Sequence, residues 1–496
     1  MLEKKIEEIK EFIKNGFYDK ALSRLNEVMD DKNNAENVSV MLEMGQVFLA
    51  KKDFDKARIW FEKVLNIDKH NIYATEAILR LLYNIGDYNG VAVYLKKIVL
   101  EKERFFSILE KFIKFLFENL NKCSKAGDTD IIGKVIDILN LCGDSINNDK
   151  LKNILVNESE IFNKKIILNS KPRNLIISIT SRCNIKCKMC KIPLNHWDFP
   201  KDKIHEIYNL LPTLQKIVWH GGEPFLYRHI DELIAKAGEY NIEQIVSTNG
   251  LLLNEERIKK IIDSKMELNI SIHGLTKEVY ESIHCGASFE KLLDNLRLIK
   301  NIKEQSKSYV KYGLKFLVMK TNHEQLKNLC DFARKYGFNH VYVNTLGYDT
   351  INKENFIYHY KDADIIKNVI KNSEMSALEF QKANIFYEAW LSDIGENKNE
   401  MPVLNRAENK TSGHKKFCCY MPWQTLQIDA DGFVRNNCYC ENLVIGNINE
   451  HSISDIWNNE KITEIRKNIV NEGFDERCSP DCKSGRVSEL YLKNRF

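Results

Sequence analysis

Three cysteines stand close together in the chain, where their thiolates could ligate a metal centre. Cys183, Cys187 and Cys190 form a C-x3-C-x2-C arrangement. Zinc sites usually combine two C-x2-C pairs around a closed fourth position, whereas three closely spaced thiolates leave one position open. On a cubane iron–sulfur cluster, that position is an iron with a free coordination site. The spacing therefore favours a [4Fe–4S] cluster, and a zinc site with an unidentified fourth ligand is the alternative.

The elements predicted around these cysteines alternate between strands and helices. Strands are predicted at 175–180, 216–220, 244–248, 268–273, 314–320 and 340–345. Helices are predicted between them at 201–211, 229–239, 254–264, 289–301 and 322–336. Six strands with intervening helices predict a parallel sheet with helices packed outside it. The reaction site is then expected at the C-terminal ends of the strands, and Cys183 follows the first of them.

A second motif lies directly after the second predicted strand. Gly221 and Gly222 precede Glu223 and Pro224, and two glycines let the backbone approach a ligand closely. With the cysteine triplet after strand one, this GGEP motif resembles the signature of the radical SAM superfamily, over about residues 174–345. The resemblance implies a partial (β/α)6 barrel of the TIM type, and a [4Fe–4S] cluster on the three cysteines. It also implies an enzyme that uses S-adenosylmethionine (SAM).

The resemblance further implies the residues that bind SAM. Gly221 and Gly222 would contact the amino group of its methionyl part. Glu223 would help to hold that group, because a carboxylate and an ammonium form a strong hydrogen bond. Ser271, at the end of the fourth strand, would reach the ribose hydroxyls. Met189 would fill the space near adenine that most relatives give to an aromatic residue.

Two histidines depart from the superfamily pattern. His284 lies where many relatives have an arginine that pairs with the SAM carboxylate, and His273 replaces the usual aspartate. A histidine would make that pairing weakly, and only when it is protonated. We therefore expect the contact with the SAM carboxylate, rather than the cluster, to differ from that of relatives.

A second group of cysteines lies in residues 418–496, around a predicted strand–turn–strand. Its members are Cys418, Cys419, Cys438, Cys440, Cys478 and Cys482. This arrangement resembles the SPASM or twitch domain of radical SAM enzymes. The resemblance implies one auxiliary [4Fe–4S] cluster, with ligands Cys419, Cys438, Cys478 and Cys482. Cys418 and Cys440 are rivals for two of these roles, and a structural zinc in the same thiolates is the alternative.

The first 165 residues lack proline and predict a helical domain with a weak repeat. Tyr18, Phe54 and Tyr88 align at offsets of 36 and 34 residues, and tetratricopeptide repeats have a period of about 34. In the best copy, Gly45 and Ala57 stand at positions where paired helices would approach closely. The pattern predicts a tetratricopeptide-like domain, and a generic helical bundle is the alternative. Such repeats offer concave surfaces for peptides and helices.

Composition and charge limit the remaining possibilities. The net charge of +4 disfavours a dedicated nucleic-acid-binding protein. No run of about 18 uncharged apolar residues is present, so a membrane-spanning helix is not expected. The N-terminus lacks the apolar core of a signal peptide, which predicts a cytoplasmic protein. The expected domains are a helical domain at 1–165, the radical SAM core at 172–350, a helical connector at 351–417 and an α+β iron–sulfur domain at 418–496.

These expectations combine into one predicted function and two alternatives. An auxiliary cluster can accept the electron left on a substrate radical, and helical repeats favour a polypeptide partner. We therefore predict a radical SAM oxidoreductase that oxidatively modifies a peptide or protein and takes electrons from a donor such as flavodoxin or ferredoxin. One alternative is a radical dehydrogenase of a sugar or aminocyclitol. The other is a non-catalytic iron–sulfur adaptor whose repeats bind a protein.

Overall fold

The structure is a computed structural model of the chain. It describes residues 2–31, 37–87, 89–91, 93–95, 112, 148–190, 192, 195–306, 310–345, 363–390, 419–436, 440 and 443–478. The chain divides into two compact units, one that ends at Asn163 and one that begins at Lys164. Among the described residues, no helix combines the length and the apolar character that crossing a bilayer requires.

The described residues of the first unit form helices, and the first five of them pack in chain order. They are α1 (Leu2–Lys14), α2 (Tyr18–Met29), α3 (Val38–Ala50), α4 (Phe54–Ile67), α5 (Ile72–Asn84) and α6 (Asp149–Phe162). Ile9, Leu25 and Val40 are fully buried in the apolar core that joins α1, α2 and α3. A Cβ at Gly45 of α3 would overlap the Phe61 ring of α4, so glycine allows these two helices to approach closely. The predicted helical character of this region is confirmed.

Three turns of this unit share one backbone geometry. Gly16, Lys52 and Gly86 have φ values of +77°, +61° and +78°, and they lie 36 and 34 residues apart. In each turn the next residue donates its N–H to the carbonyl five residues earlier, as Asp53 does to Phe48 at 2.9 Å. The recurrence therefore has the offsets that the sequence predicts. Tyr88, which marks the third copy in the sequence, lies outside the described residues.

The second unit contains an extended sheet and the helices that cover it. The strands are β1 (Asn174–Thr180), β2 (Lys186–Cys187), β3 (Lys216–Gly221), β4 (Glu243–Thr248), β5 (Glu267–Ser271), β6 (His284–Cys285), β7 (Tyr312–Val318), β8 (His340–Thr345), β9 (Phe386–Trp390), β10 (Thr425–Ile428), β11 (Phe433–Arg435) and β12 (Gly446–Asn447). The helices are α7 (Ile204–Leu210), α8 (Ile230–Glu239), α9 (Glu255–Asp263), α10 (Lys277–Ile283), α11 (Phe289–Ser306), α12 (Leu329–Lys335), α13 (Ala363–Lys382), α14 (Met421–Gln424), α15 (Ile453–Trp457) and α16 (Glu460–Glu472).

The six predicted core strands are neighbours in one sheet. The sheet order is β12-β11-β10-β1-β3-β4-β5-β7-β8-β9, and every pair from β10 to β9 is parallel. Buried polar side chains join one face of the sheet to its helices. Trp219 Nε1 of β3 donates to Gln244 Oε1 of β4 at 3.0 Å, and Gln244 Nε2 donates to the Ile234 carbonyl of α8 at 3.0 Å. The predicted parallel α/β core is confirmed.

Two features of this unit were not predicted from the sequence. The connector at 351–417 was expected to be helical, but its described part consists of α13 followed by β9, which pairs in parallel with β8 and extends the sheet. Its remaining residues lie outside the described part of the chain. The second feature is a small antiparallel sheet, in which β2 pairs with β6. β9 lies at the edge of the large sheet and β2 and β6 have two residues each, so the sequences of these three strands carry little periodicity.

The C-terminal region is attached to the core by backbone pairing and buried side chains. β10 pairs in parallel with β1, and β11 and β12 continue from it as antiparallel strands. Arg466 of α16 is fully buried, and its guanidinium donates to the carbonyls of Pro422 and Trp457 at 2.9 Å. The same guanidinium donates to the Ile166 carbonyl at 3.0 Å. Arg466 therefore ties the segment after Cys419 to the segment before β1.

Candidate functional site

The predicted cluster-binding cysteines lie on the loop that follows β1, at the C-terminal end of that strand. Cys187 belongs to β2 and stands opposite His284 in the β2–β6 pair. The Lys188 N–H donates to the Ile283 carbonyl at 3.0 Å, and the Cys190 N–H donates to the Cys187 carbonyl at 3.1 Å. The loop is therefore fastened to α10 and β6, which follow the C-terminal end of β5.

The three thiols are close enough to affect one another electrostatically. Burial, together with the electrostatic effect of the nearby Cys190, Cys183 and Cys285, raises the pKa of Cys187 to about 12. Burial also raises the pKa of Cys183. Cys190 is exposed, whereas Cys183 and Cys187 are partly buried. Cys183 and Cys187 therefore favour the protonated thiol without a positive partner, and bound iron would supply the charge that stabilises three thiolates together.

The donor set fits a cluster better than a single ion. Within the described part of the chain, which includes all three loop cysteines, no three His, Cys, Asp or Glu side chains converge as ligands of one metal ion. A single zinc ion needs such convergence, since its ligands share one centre. A cubane cluster places its cysteine ligands on separate iron atoms. Three cysteine thiols on one loop match the ligand chemistry of such a cluster.

His284 is buried beside Cys187 rather than exposed to a ligand. Its Nδ1 lies 3.2 Å from the Cys187 Sγ, and its Nε2 accepts the His273 backbone N–H at 3.3 Å. Burial lowers the pKa of His284 to about 4, so the ring is neutral at neutral pH. A neutral, buried ring cannot pair with the SAM carboxylate as the arginine of relatives would. His284 belongs to the cysteine loop instead.

Glu223 of the GGEP motif is a buried link between two strand ends. Its Oε1 accepts the Thr248 hydroxyl at 2.7 Å, and its Oε2 accepts the Asn249 N–H at 2.8 Å. Burial raises the pKa of this carboxyl, and those hydrogen bonds oppose the rise. Asn249 Nδ2 in turn donates to Cys183 Sγ at a long 3.9 Å and to Asn184 Oδ1 at 2.8 Å. Glu223 is therefore placed to act on the cysteine loop through Asn249.

The two glycines of the motif pack against the backbone that leads into the cysteine loop. Gly221 has a φ of +128°, and a Cβ there would overlap the Thr180 carbonyl. A Cβ at Gly222 would overlap the Arg182 carbonyl. The Gly222 N–H donates to the Thr180 carbonyl at 2.7 Å. Glycine is therefore required at both positions by the protein's own packing, whatever ligand binds nearby.

The remaining predicted SAM residues lie at the same end of the sheet. Ser271 is the last residue of β5 and is partly exposed. Its hydroxyl makes no hydrogen bond to the described residues, so it is available to a ligand. Met189 is partly buried and packs against Ile283 and Met319. The structure thus brings Ser271, Met189 and the GGEP motif to the strand ends that carry the cysteine loop.

The C-terminal cysteines are only partly described. Cys419 precedes α14, Cys440 lies between β11 and β12, and Cys478 follows α16. Cys418, Cys438 and Cys482 lie outside the described residues, so Cys418 and Cys440 stay alternatives for two of the proposed ligand positions. The Cys478 N–H donates to the Asp475 carbonyl at 3.0 Å. Arg477 holds the pKa of Asp475 at about 2 through a bidentate ion pair. This buried turn fixes the approach to Cys478.

Comparisons with known proteins agree with this arrangement. A family model described as the radical SAM superfamily matches residues 177–313, and an iron–sulfur cluster-binding domain model, SPASM, matches residues 418–483. A probable GTP 3′,8-cyclase of Methanococcus aeolicus is 29% identical over 226 residues, which cover 42% of this chain and 71% of that protein. The GTP 3′,8-cyclase of Aquifex aeolicus is 24% identical over 326 residues, which cover 61% and 95%.

A solved structure supports the same fold. The crystal structure of Streptococcus suis SuiB superposes with a TM-score of 0.52 at 15% identity, covering 76% of this chain and 83% of that one. The chain therefore contains a radical SAM domain and a SPASM domain. It is a radical SAM enzyme of the oxidoreductase type, and its cofactors are SAM and two [4Fe–4S] clusters. The predicted enzyme class and cofactors are confirmed.

Proposed function

We propose that this enzyme reductively cleaves SAM and uses the resulting radical to modify a peptide or protein oxidatively. When bound, the cluster would supply the electron for reductive cleavage of a carbon–sulfur bond of SAM, and the 5′-deoxyadenosyl radical so formed could abstract hydrogen from an unactivated carbon. The protein's own part is to position the reactants and to exclude water. Cys183, Cys187 and Cys190 would hold the cluster, with one iron left open for SAM.

The observation that carries the proposal is the attachment of the cysteine loop to the GGEP motif. The backbone of Gly222 and Glu223 donates to the carbonyls of Thr180 and Arg182, directly before Cys183. The open iron and the SAM-binding strand ends would then share one rigid support. Gly221, Gly222, Ser271 and Met189 are our proposed SAM contacts, and Glu223 would support them through Asn249. Rigid placement matters because small displacements of reacting groups reduce rates strongly.

The auxiliary cluster favours oxidation over a redox-neutral rearrangement. We assign its ligands as Cys419, Cys438, Cys478 and Cys482, with Cys418 and Cys440 as alternatives. The C-terminal region joins the core through β10, which pairs with β1, and the cysteine loop follows that same strand. An electron left on a substrate radical would therefore have an acceptor supported by the neighbouring strand. The corresponding domains are proposed at 172–350 for the core, 351–417 for the connector and 418–496 for the auxiliary cluster.

The helical unit supports a polypeptide substrate or partner. We assign residues 1–165 as a tetratricopeptide-like domain, because the same turn recurs at offsets of 36 and 34 residues. The first helices of its hairpins also share one polar face. Lys10 of α1 lies within electrostatic reach of Glu43 on α3 and Tyr73 on α5. Tyr73 is 65% exposed, and exposed aromatic side chains of this kind are common at protein interfaces.

A small-molecule substrate is the second candidate function. The GTP 3′,8-cyclases of Methanococcus aeolicus and Aquifex aeolicus are 29% and 24% identical to this chain over the matched regions. That similarity favours a purine nucleotide as the alternative to a peptide. A cytoplasmic location and an electron donor of the flavodoxin or ferredoxin type stay predictions of the sequence.

The reaction class is tested by the release of 5′-deoxyadenosine from SAM. The full chain would be reconstituted with iron and sulfide under anaerobic conditions and reduced. We expect 5′-deoxyadenosine from the wild type and none from the Cys183/Cys187/Cys190→Ala variant. Product from both proteins would contradict the assignment of the cysteine loop.

The substrate class is tested by offering the reduced enzyme two pools separately, GTP and the soluble peptides of an anaerobic cell extract. We expect a peptide that loses two hydrogens by mass spectrometry, with GTP unchanged. Consumption of GTP with formation of a new nucleotide would favour the second candidate. For the peptide that reacts, Tyr73→Ala should raise KM without changing SAM cleavage in the absence of substrate. Ile59→Ala is the matched control, because Ile59 is also exposed but lies on α4, the second helix of the α3–α4 hairpin.

A further inference from the structure

The contact between Cys187 and His284 defines which ring nitrogen carries the proton. Nε2 of His284 accepts the backbone N–H of His273 at 3.3 Å. A neutral imidazole has one donor nitrogen and one acceptor nitrogen, so a ring that accepts at Nε2 carries its proton on Nδ1. Nδ1 lies 3.2 Å from the Cys187 sulfur. The geometry therefore makes His284 a hydrogen-bond donor to that sulfur.

The ring that provides this donor is held on both faces. The His273 ring stacks on it at a centroid distance of 4.9 Å and an angle of 22°, and the Tyr280 ring lies at 4.5 Å and 30°. His273 is itself fixed, because its Nδ1 accepts the Leu317 N–H at 3.1 Å and its carbonyl accepts Asn322 Nδ2 at 2.8 Å. The donor is therefore held in the orientation that makes the bond, and no rotation of the ring is needed.

The hydrogen bond acts on a thiolate that would belong to the cluster. Hydrogen bonds to cluster sulfurs are among the factors that set the reduction potential of iron–sulfur clusters. Reduction adds negative charge to the cluster and its ligands, and an N–H donor stabilises that added charge. The effect is strong in a buried site, where the local dielectric constant is low and His284 is 1% exposed.

We propose that His284, through its Nδ1–H hydrogen bond to the sulfur of Cys187, is a positioning residue that raises the reduction potential of the radical SAM cluster. This inference rests on the proposed function in one respect, which is that Cys187 ligates the cluster. His284 thereby serves the cluster rather than the SAM carboxylate. The donor also keeps Cys187 in the β2–β6 pair, since the sulfur and the ring belong to directly opposed residues.

The test is a redox titration of the reconstituted full-length enzyme, followed by EPR of the reduced cluster. His284→Phe keeps an aromatic ring between His273 and Tyr280 but removes the N–H. We expect its cluster to be about tenfold harder to reduce, which is a potential lower by about 59 mV for a one-electron couple. His284→Asn places an amide donor near the position of Nδ1, and it should restore the wild-type potential. His340→Phe, on β8, is the control and should leave the potential unchanged.

A second measurement uses the wild-type protein and does not depend on how well a variant loads iron. In enzyme labelled with ¹⁵N only at histidine, pulsed EPR of the reduced cluster should detect coupling to a histidine nitrogen, and His284→Asn should abolish it. Absence of this coupling from the wild type, or equal potentials in the wild type and His284→Phe, would overturn the inference. Failure of the proposed function looks different: the Cys183/Cys187/Cys190→Ala variant would then retain the iron content and EPR signals of the wild type.

Discussion

The two cysteine regions of this enzyme are supported in different ways. In the loop after β1, buried polar side chains reach the sulfurs themselves, since His284 contacts Cys187 and Asn249 contacts Cys183. In the C-terminal region, the buried Arg466 bonds to backbone carbonyls. The first arrangement would adjust the properties of the proposed ligands, whereas the second fixes the path of the chain. This difference fits the proposed roles. The cluster of the loop after β1 would have to reduce SAM, whereas the auxiliary cluster would have to be held at a fixed place beside the core.

The largest expected effects come from replacing one cysteine in each of the two regions. Cys187→Ala should lower 5′-deoxyadenosine formation by about a hundredfold or more, because the cluster would lose one of its three proposed protein ligands. Cys478→Ala should lower the iron content while SAM cleavage without substrate continues. Iron analysis and chromatography of 5′-deoxyadenosine on both variants check this. The opposite pattern, with SAM cleavage lost only in Cys478→Ala, would reverse the assignment of the two regions.

The next effect concerns the support of the C-terminal region. Arg466→Met removes a buried guanidinium and leaves the carbonyls of Pro422, Trp457 and Ile166 without their donor. We expect a loss of about 3–5 kcal/mol in the free energy of unfolding, since buried groups are left unpaired. Thermal unfolding followed by circular dichroism measures it. Arg297→Met, at an exposed arginine of α11, is the matched control and should change stability by less than about 0.5 kcal/mol. Equal effects of the two changes would contradict the role given to Arg466.

A smaller effect is expected at the motif beneath the cysteine loop. In Gly222→Ala the new Cβ overlaps the Arg182 carbonyl, so the backbone before Cys183 must move. We expect a cost of about 1–3 kcal/mol and weaker binding of SAM. Gly238→Ala, on α8, is the control. Its new Cβ would make only ordinary van der Waals contacts, and alanine is a better helix former than glycine. SAM affinity by equilibrium dialysis, together with urea unfolding, measures both. A Gly222→Ala protein with wild-type affinity and stability would show that this packing is unimportant.

The smallest effect is a pH dependence at the turn before Cys478. The pKa of Asp475 is about 2 in the folded chain, below its ordinary 3.8, because of its hydrogen bonds with Arg477. The ion pair therefore stabilises the fold fully above about pH 4, and this stabilisation is lost as the pH falls towards 2. Asp475→Asn should lower Tm at pH 7 by an amount equivalent to about 1 kcal/mol. The Tm difference from wild type should stay constant down to about pH 4.5 and shrink below it. A difference that grows on acidification would contradict this account.

The contrast between the regions also shows what the sequence could and could not predict. The core strands were predictable, because each is a short apolar run between helices of clear periodicity. The cysteine loop was predictable from its spacing and from its place after β1. The contact between Cys187 and His284 was not, since these residues lie 97 positions apart and meet only because β2 pairs with β6.

Glu223 illustrates a second limit of prediction from the sequence. Its motif marks the end of the sheet where we propose that SAM binds, but the motif alone does not say where the side chain points. In the structure both carboxylate oxygens accept hydrogen bonds from the end of β4 and the residue after it. Long-range contacts of this kind depend on the whole fold, and no local pattern records them.

EPR of the reduced enzyme with and without SAM tests the central claim most directly, because only a cluster with an open iron can bind SAM. The reduced wild type should show the signals of two [4Fe–4S] clusters, one of which changes when SAM is added. The Cys183/Cys187/Cys190→Ala variant should keep the signal that SAM does not affect and lose the other. A signal that still responds to SAM in that variant would contradict the account.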